Sequence, residues 1–251
     1  MPRFLIGATF DDAPHLTEKA KATALAGIPE YQKDARSRGI PQLGAGAIFP
    51  IPESDLRVKD FEIPDHWARG YGMDVGGGAK PTAAAFGALD REAGVLYITS
   101  VYKRGGSEPA THAAAIKARM DGWKWTGVGD AAALILTEHD SEQLVNVYRR
   151  LGLDLNLPDK SVETGILEVW DLMTTGRFKV FASCVAWWEE FRMYQRDKHG
   201  RIKKTNDHIL DSTRYLVRSG RQRMKTRPVE QKEITTVHMD QESAGLEWMG
   251  R

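Results

Sequence analysis

The chain has 251 residues, 41% of them hydrophobic and 27% charged, with a formal net charge of +1. That length suits one large core with an appendage or two small domains, and near-neutrality excludes a uniformly basic coat, so any polyanion must be met by locally concentrated charge. One cysteine, Cys184, excludes an internal disulfide and a cysteine-type zinc site and suits a reducing compartment.

In chain order, residues 4–10 form an apolar run read as an opening strand, followed by the turn-like Asp11-Asp12-Ala13-Pro14-His15. Residues 16–25 suit a short helix with Thr17 as N-cap, and residues 30–37 a second. Residues 39–52, rich in Gly and Pro, read as loop or linker, and the main domain boundary falls at about Pro64. From Trp67 the pattern sharpens into strands at residues 67–74, 82–90 and 95–102, the last two closing a hairpin around Arg91-Glu92-Ala93-Gly94. There follow an alanine-rich helix at 107–120, a strand at 125–130, and helices at 141–151 and 163–175, the latter stopped by Gly176. A short strand at 178–181 precedes an aromatic helix at 187–196, whose Trp187, Trp188, Phe191 and Tyr194 have the spacing of core residues rather than base-stacking ones. Three meandering strands and then alternating helix and strand predict an α/β fold, a mixed β-sheet flanked by helices. Residues 1–64 are read as a linker segment, 65–218 as the main domain, and 219–251 as a basic and then polar tail. No apolar run approaches the ~20 residues of a membrane span, and Met1-Pro2-Arg3 does not open a signal peptide, so a cytoplasmic setting without membrane is expected.

Four acids stand out. Asp207 and Asp211 open an apolar, helix-compatible stretch, and a spacing of four residues puts both on one helix face. Asp74 closes a strand before Gly76-Gly77-Gly78, and Asp130 closes another before Ala131-Ala132-Ala133. Carboxylates projected from two strand ends and a helix can meet at one point, where their mutual repulsion calls for a hard divalent cation. Each also has a plainer reading: Asp74 and Asp130 as turn residues, Asp207 as a first-turn helix acid, and Asp211 as an acid paired with Arg214 or Lys204. His208, between two acids, is a weaker candidate, and His139 with Asp140 lacks the spacing of a zinc site.

The joint placement resembles the ribonuclease H-like nuclease fold. More specifically, Gly72-Met73-Asp74-Val75-Gly76 and Lys204-Thr205-Asn206-Asp207-His208-Ile209-Leu210-Asp211-Ser212-Thr213-Arg214-Tyr215 resemble the nuclease domain of the large terminase subunit of tailed bacteriophages. Phe10-Asp11-Asp12-Ala13-Pro14-His15-Leu16-Thr17 and Asp34-Ala35-Arg36-Ser37-Arg38-Gly39-Ile40-Pro41-Gln42-Leu43-Gly44 are similar to that family's link between ATPase and nuclease, and the likeness covers nearly the whole chain to about Arg218. The resemblance implies an endonuclease that cuts concatemeric viral DNA in the host cytoplasm during genome packaging. Carried over, Asp74, Asp130 and Asp211 are the catalytic metal ligands, and Asp207 is a second-site ligand or a residue orienting water. An all-oxygen site suits Mg²⁺ or Mn²⁺, and two ions about 4 Å apart can serve the attacking and leaving oxygens. Implied partners are double-stranded DNA, the ATPase domain of the large subunit, the portal protein and the small terminase subunit.

The sequence departs from the whole family pattern in having no ATPase half. Gly78-Ala79-Lys80-Pro81-Thr82 is broken as a P-loop by Ala79 and Pro81, so the expectation is a nuclease unit excised from its ATPase or encoded apart. For DNA, Arg196, Lys198, Arg201, Lys203 and Lys204 concentrate positive charge before the acidic helix, with residues 198–201 as a hairpin tip. Phosphate contacts there would be salt-dependent and blind to sequence. A second basic group, Arg218, Arg221, Arg223, Lys225 and Arg227, lies in the tail. Two other functions fit some features: a docking module with a silent nuclease-like core, and an actin-like phosphotransferase built on Asp74-Val75-Gly76, for which a second phosphate loop is missing.

Overall fold

The central strands, Ala68–Asp74, Thr82–Asp90 and Thr126–Asp130, are buried almost without interruption, because their alternating side chains enter a core on each face of a mixed sheet. The computed structural model describes residues 9–26, 33, 37, 46–76, 80–130, 134–136, 141–197 and 199–228. Among these, the strands are β1 Arg57–Val58, β2 Ala68–Asp74, β3 Thr82–Asp90, β4 Val95–Arg104, β5 Thr126–Asp130, β6 Leu134–Leu136, β7 Ser141–Gln143, β8 Asp154–Asn156 and β9 Phe178–Phe181. The helices are α1 Glu18–Ala26, α2 Glu53–Leu56, α3 Pro109–Lys117, α4 Leu144–Arg150, α5 Val162–Thr174, α6 Val185–Met193 and α7 His208–Tyr215. After α7 the chain continues as a π-helical turn, Leu216–Gly220, and a 3₁₀ turn, Arg221–Arg223.

Seven strands share one sheet in the order β1-β9-β4-β3-β2-β5-β8, and β6 and β7 form a separate hairpin. The β2-β3 and β3-β4 pairs are antiparallel, whereas β5 lies parallel to β2 and β9 parallel to β4. The β3–β4 turn works as its residues suggest: Gly94 takes φ +68°, and Asp90 Oδ1 accepts the Glu92 and Ala93 amides at 3.0 and 3.1 Å.

Side-chain size along β2 decides which helix can approach. Tyr71 and Met73 face one way, into a core with Phe86, Ile116, Trp125 and Tyr148. Gly70 and Gly72 face the other way with Ala68. A Cβ on Gly72 would collide with the Ser212 carbonyl oxygen, and one on Gly87 of β3 would press on Leu216. The glycines therefore let α7 lie almost directly on the sheet. Around α7, Trp187, Trp188, Phe191, Ile209 and Leu216 are buried with Val169, Phe178 and Val180. The two tryptophans are 0% and 1% exposed and satisfy their ring N–H groups on Thr213 Oγ1 (3.1 Å) and the Phe181 carbonyl (3.0 Å), as core residues do.

Several boundaries differ from the sequence reading. Phe10–Asp12 is a 3₁₀ turn rather than the end of a strand, while residues 4–8 and most of 30–37 lie outside the described residues. A division at Pro64 would sever β1 from β9 and remove Phe49, Ile51 and Leu56 from the core, so the packed unit already includes residues 47–58. Residues 219–228 are likewise packed: Met224 is buried, and Lys225 forms a bridge with Arg69. The helix expected from residue 141 begins at Leu144, after β7.

Candidate active site

Asp74 ends β2 and Asp130 ends β5, and they are direct register partners on neighbouring parallel strands. Such strands run about 4.8 Å apart, and matched residues project to the same side. The two carboxylates therefore stand next to each other at the carboxyl ends of the strands. Two basic side chains stand against this like-charge pair: His208 Nδ1 lies 2.8 Å from Asp74 Oδ2, and Lys160 Nζ 2.9 Å from Asp130 Oδ1. The hydrogen bond to Asp74 raises the His208 pKa above its ordinary value, with partial burial working against it.

Helix α7 is held in place by contacts from other elements. The Asp74 amide donates to Ser212 Oγ at 3.0 Å, tying the strand end to the helix. The N-cap residue, Asp207, makes no side-chain cap bond; instead Glu190 of α6, only 3% exposed, accepts the Ile209 and Leu210 amides on Oε2 at 2.7 and 3.2 Å. Its Oε1 receives Lys103 Nζ of β4 at 2.7 Å. Burial raises the Glu190 pKa, with Lys103 and the two amides opposing. A carboxylate at a helix N-terminus also meets the positive end of the macrodipole. Glu190 thus fixes the turn that carries His208 and Asp211.

Asp211 is 8% exposed and Asp207 5%. Asp211 Oδ1 receives Arg214 Nη2 at 3.0 Å, and its Oδ2 lies 3.8 Å from Lys204 Nζ. Burial raises its pKa, with Arg214 and Lys204 pulling the other way. The plainer pairing with Arg214 and Lys204 is therefore present, in a buried setting. Asp207 Oδ2 is a buried oxygen without a hydrogen-bond donor, 3.8 Å from the same Lys204 Nζ. Tyr215 stands among the acids: its hydroxyl is pushed up to about 12 by burial, lowered by Arg214, and raised by the charges of Asp211, Asp74 and Asp130.

Among the described residues, no three His, Cys, Asp or Glu side chains form a closed group able to hold a metal ion. Asp74 and Asp130 are brought together, and Asp74 meets His208, while Asp207 at the N-cap of α7 and Asp211 within it share Lys204, 3.8 Å from each. The donor chemistry fits a hard cation all the same. Two matched carboxylates and an orphaned buried carboxylate oxygen are groups that a divalent ion satisfies and that exposed lysines satisfy only weakly.

Of the basic residues, Arg196 is committed to Glu163 at 2.6 and 2.9 Å, and Arg201 approaches Asp197 at 3.4 Å. Lys203 is exposed, Lys204 faces the acids, and Lys198 lies outside the described residues. The tip is a turn as read, with Gly200 at φ +78° and Asp197 Oδ1 accepting the His199 and Arg201 amides. The sequence reading missed Glu190, Lys103 and Lys160. The one available signal was that, of the adjacent Glu189 and Glu190, Glu190 falls three residues after Trp187, on the apolar face of the aromatic helix.

Residues 71–219 match the family model described as the terminase RNaseH-like domain. The chain is 37% identical over 226 residues to the large terminase subunit of Salmonella phage P22, covering 84% of this chain and 43% of that protein. It is equally similar to the large subunit of Enterobacteria phage LP7, covering 45% of it. The chain therefore spans less than half the length of the curated relatives it matches. The solved P22 large terminase nuclease domain superposes with a TM-score of 0.65 at 34% identity, covering 73% of this chain and 96% of that one. The large terminase nuclease of phage G20c, solved with bound magnesium, shares the fold at a TM-score of 0.50 and 16% identity, over 69% of this chain and 97% of that one.

Proposed function

Because the chain belongs to the terminase RNaseH-like domain family, we propose that it is a metal-dependent endonuclease that cuts concatemeric viral DNA during genome packaging, largely without sequence preference. The observation that carries this reading is the register pairing of Asp74 with Asp130, beside the helix that bears His208 and Asp211. Asp74, Asp130 and Asp211, with Asp207, would hold Mg²⁺ or Mn²⁺, two ions in all. Support for a divalent cation comes from the magnesium bound to the G20c nuclease. When bound, such ions neutralise charge on the phosphate and acidify water.

The chain's own residues do the rest. His208 keeps a proton at Nδ1 toward Asp74 and orients that carboxylate. Lys160 and Lys204, both more exposed than the acids they touch, can turn from carboxylate to DNA phosphate. Lys203, with Arg201 of the neighbouring turn, supplies further contacts to the DNA backbone, which neutralise phosphates without reading bases, and Lys198, outside the described residues, is assigned to the same role from the sequence. Arg196 joins this surface only if it leaves Glu163. The partners in this reading are double-stranded DNA, the ATPase domain of the large subunit, the portal protein and the small terminase subunit. The setting is the host cytoplasm.

The test is plasmid cleavage with Mg²⁺ or Mn²⁺, comparing the wild type with Asp74→Ala, Asp130→Ala and Asp211→Ala, with EDTA as control. Nicking and linearisation by the wild type, lost in each folded variant, is expected. Inactivity of the wild type with both metals, or equal cutting by the variants, would instead favour the docking-module reading.

A further inference from the structure

The second basic stretch takes no part in the acid site. Most of it is neutralised internally: Arg218 pairs with Asp159 at 2.6 Å and with Glu168, Lys225 approaches Asp154 at 3.7 Å, and Arg227 approaches Asp65 at 3.5 Å. Among the described residues Arg221 and Arg223 have no side-chain hydrogen bond or ion pair; Arg223 is exposed, whereas Arg221 is half-buried and with Gln222 lines a recess of about 560 Å³ bounded by Leu89, Arg91, Gly94 and Arg177.

The three arginines reach this recess from separate parts of the chain. Arg91 comes from the β3–β4 turn, where its Nη2 donates to the Met224 carbonyl at 2.8 Å. Arg177 precedes β9, with Nε donating to Thr175 Oγ1 at 2.9 Å and Nη2 paired with Asp171 at 2.8 Å. Both are anchored through some of their five donors and retain others. The acids nearby do not balance the set: Asp171 is shared with Arg177, and Glu168, in the adjoining recess, is taken by Arg218. Like charges gathered by tertiary structure repel one another unless an anion joins them.

We propose that this recess is a phosphate-binding site. Three guanidinium forks suit a tetrahedral group with several oxygens better than a carboxylate, which offers only two. The recess is larger than one phosphate and admits the neighbouring sugar or a second phosphoryl group. It lies at the far end of the sheet from the acids: Asp74 pairs with Ala83 of β3, and Leu89 is six residues further along, about 20 Å at the rise of a strand. The same chemistry serves a free phosphate or pyrophosphate and a phosphate of a DNA backbone about six base pairs from the cutting site.

The experiment is calorimetric titration of the whole chain, in EDTA, with inorganic phosphate, pyrophosphate and a 12-base-pair duplex. The wild type is compared with Arg221→Gln and Arg91→Gln. The Arg221 guanidinium makes no hydrogen bond or ion pair among the described residues, so Arg221→Gln, which keeps the aliphatic stem, changes the melting temperature little, and circular dichroism checks both variants. Binding of phosphate or pyrophosphate by the wild type, weakened at least tenfold in Arg221→Gln, supports the site. A parallel loss of duplex affinity with a shallower salt slope assigns it to the DNA backbone, and unchanged duplex affinity assigns it to a free ligand. No binding at 10 mM of either anion, or undiminished binding in Arg221→Gln, overturns the proposal.

Discussion

Substitution of Glu190 tests the argument that α7 is positioned from outside itself. Glu190→Ala removes the acceptor for the Ile209 and Leu210 amides and leaves Lys103 without its counter-charge. Breaking a buried ion pair from one side costs about 3–5 kcal/mol, and because the Lys103 side chain is a quarter exposed the lower end applies, about 3 kcal/mol. At roughly 2–4 °C per kcal/mol for a chain of this size, the melting temperature falls by about 6–12 °C. Glu190→Gln keeps one acceptor oxygen and relieves the burial that raises the Glu190 pKa, so its cost is smaller, about 1 kcal/mol. Because the displaced turn carries His208 and Asp211, Mn²⁺ affinity measured by calorimetry should fall in both variants, more in Glu190→Ala. Urea unfolding of Glu190→Ala, Lys103→Ala and the double variant gives the coupling directly. A cost below 1 kcal/mol for Glu190→Ala, additivity of the pair, or unchanged Mn²⁺ affinity would refute the reasoning.

Gly72→Ala places a Cβ against the Ser212 carbonyl and the Leu216 amide and must lift α7 from β2; a loss of about 3 kcal/mol in urea unfolding is expected, and a neutral result would contradict the close packing. His208 has a raised folded pKa, so its stabilising contribution is complete below about 6.5 and is lost as pH rises through the folded value. Thermal melts of wild type and His208→Gln should therefore differ more at pH 5.5 than at pH 8.5, and an NMR titration of His208 should shift to lower pH in Asp74→Asn. Lys160→Ala removes a half-exposed ion pair, which changes stability by less than about 1 kcal/mol yet takes one competing cation from Asp130; Mn²⁺ affinity should rise, and a fall would show that Lys160 does not compete with the cation.

The parts of this molecule that were legible in sequence are those set by local pattern. The β3–β4 hairpin follows from alternation around a turn with Gly94, and the aromatic helix follows from the spacing of Trp187, Trp188 and Phe191. Asp74 and Asp130 were recognisable as strand-end acids because apolar and glycine runs stop at them. Their pairing was not, since register between β2 and β5 depends on Gly127 leaving room for the Tyr71 ring, a contact between residues far apart in the chain. The two- and three-residue strands β1 and β8 are too short to carry a period, and Glu190 acts on a helix that begins eighteen positions later, where no i,i+4 rule reaches.

The cations beside the acids are of two kinds. The Lys160 and Lys204 side chains are 54% and 68% exposed, so each can leave its carboxylate for solvent or phosphate at little cost. The Arg214 side chain is 4% exposed and holds Asp211 through Oδ1. Withdrawing it would strand a buried charge. Asp211 therefore keeps one oxygen on Arg214 and has only Oδ2, the one facing Lys204, free to exchange partners. In the function proposed above, a divalent ion held by Asp74, Asp130 and Asp211 would displace lysines rather than arginine, so its binding would leave the packing of α7 on the sheet undisturbed.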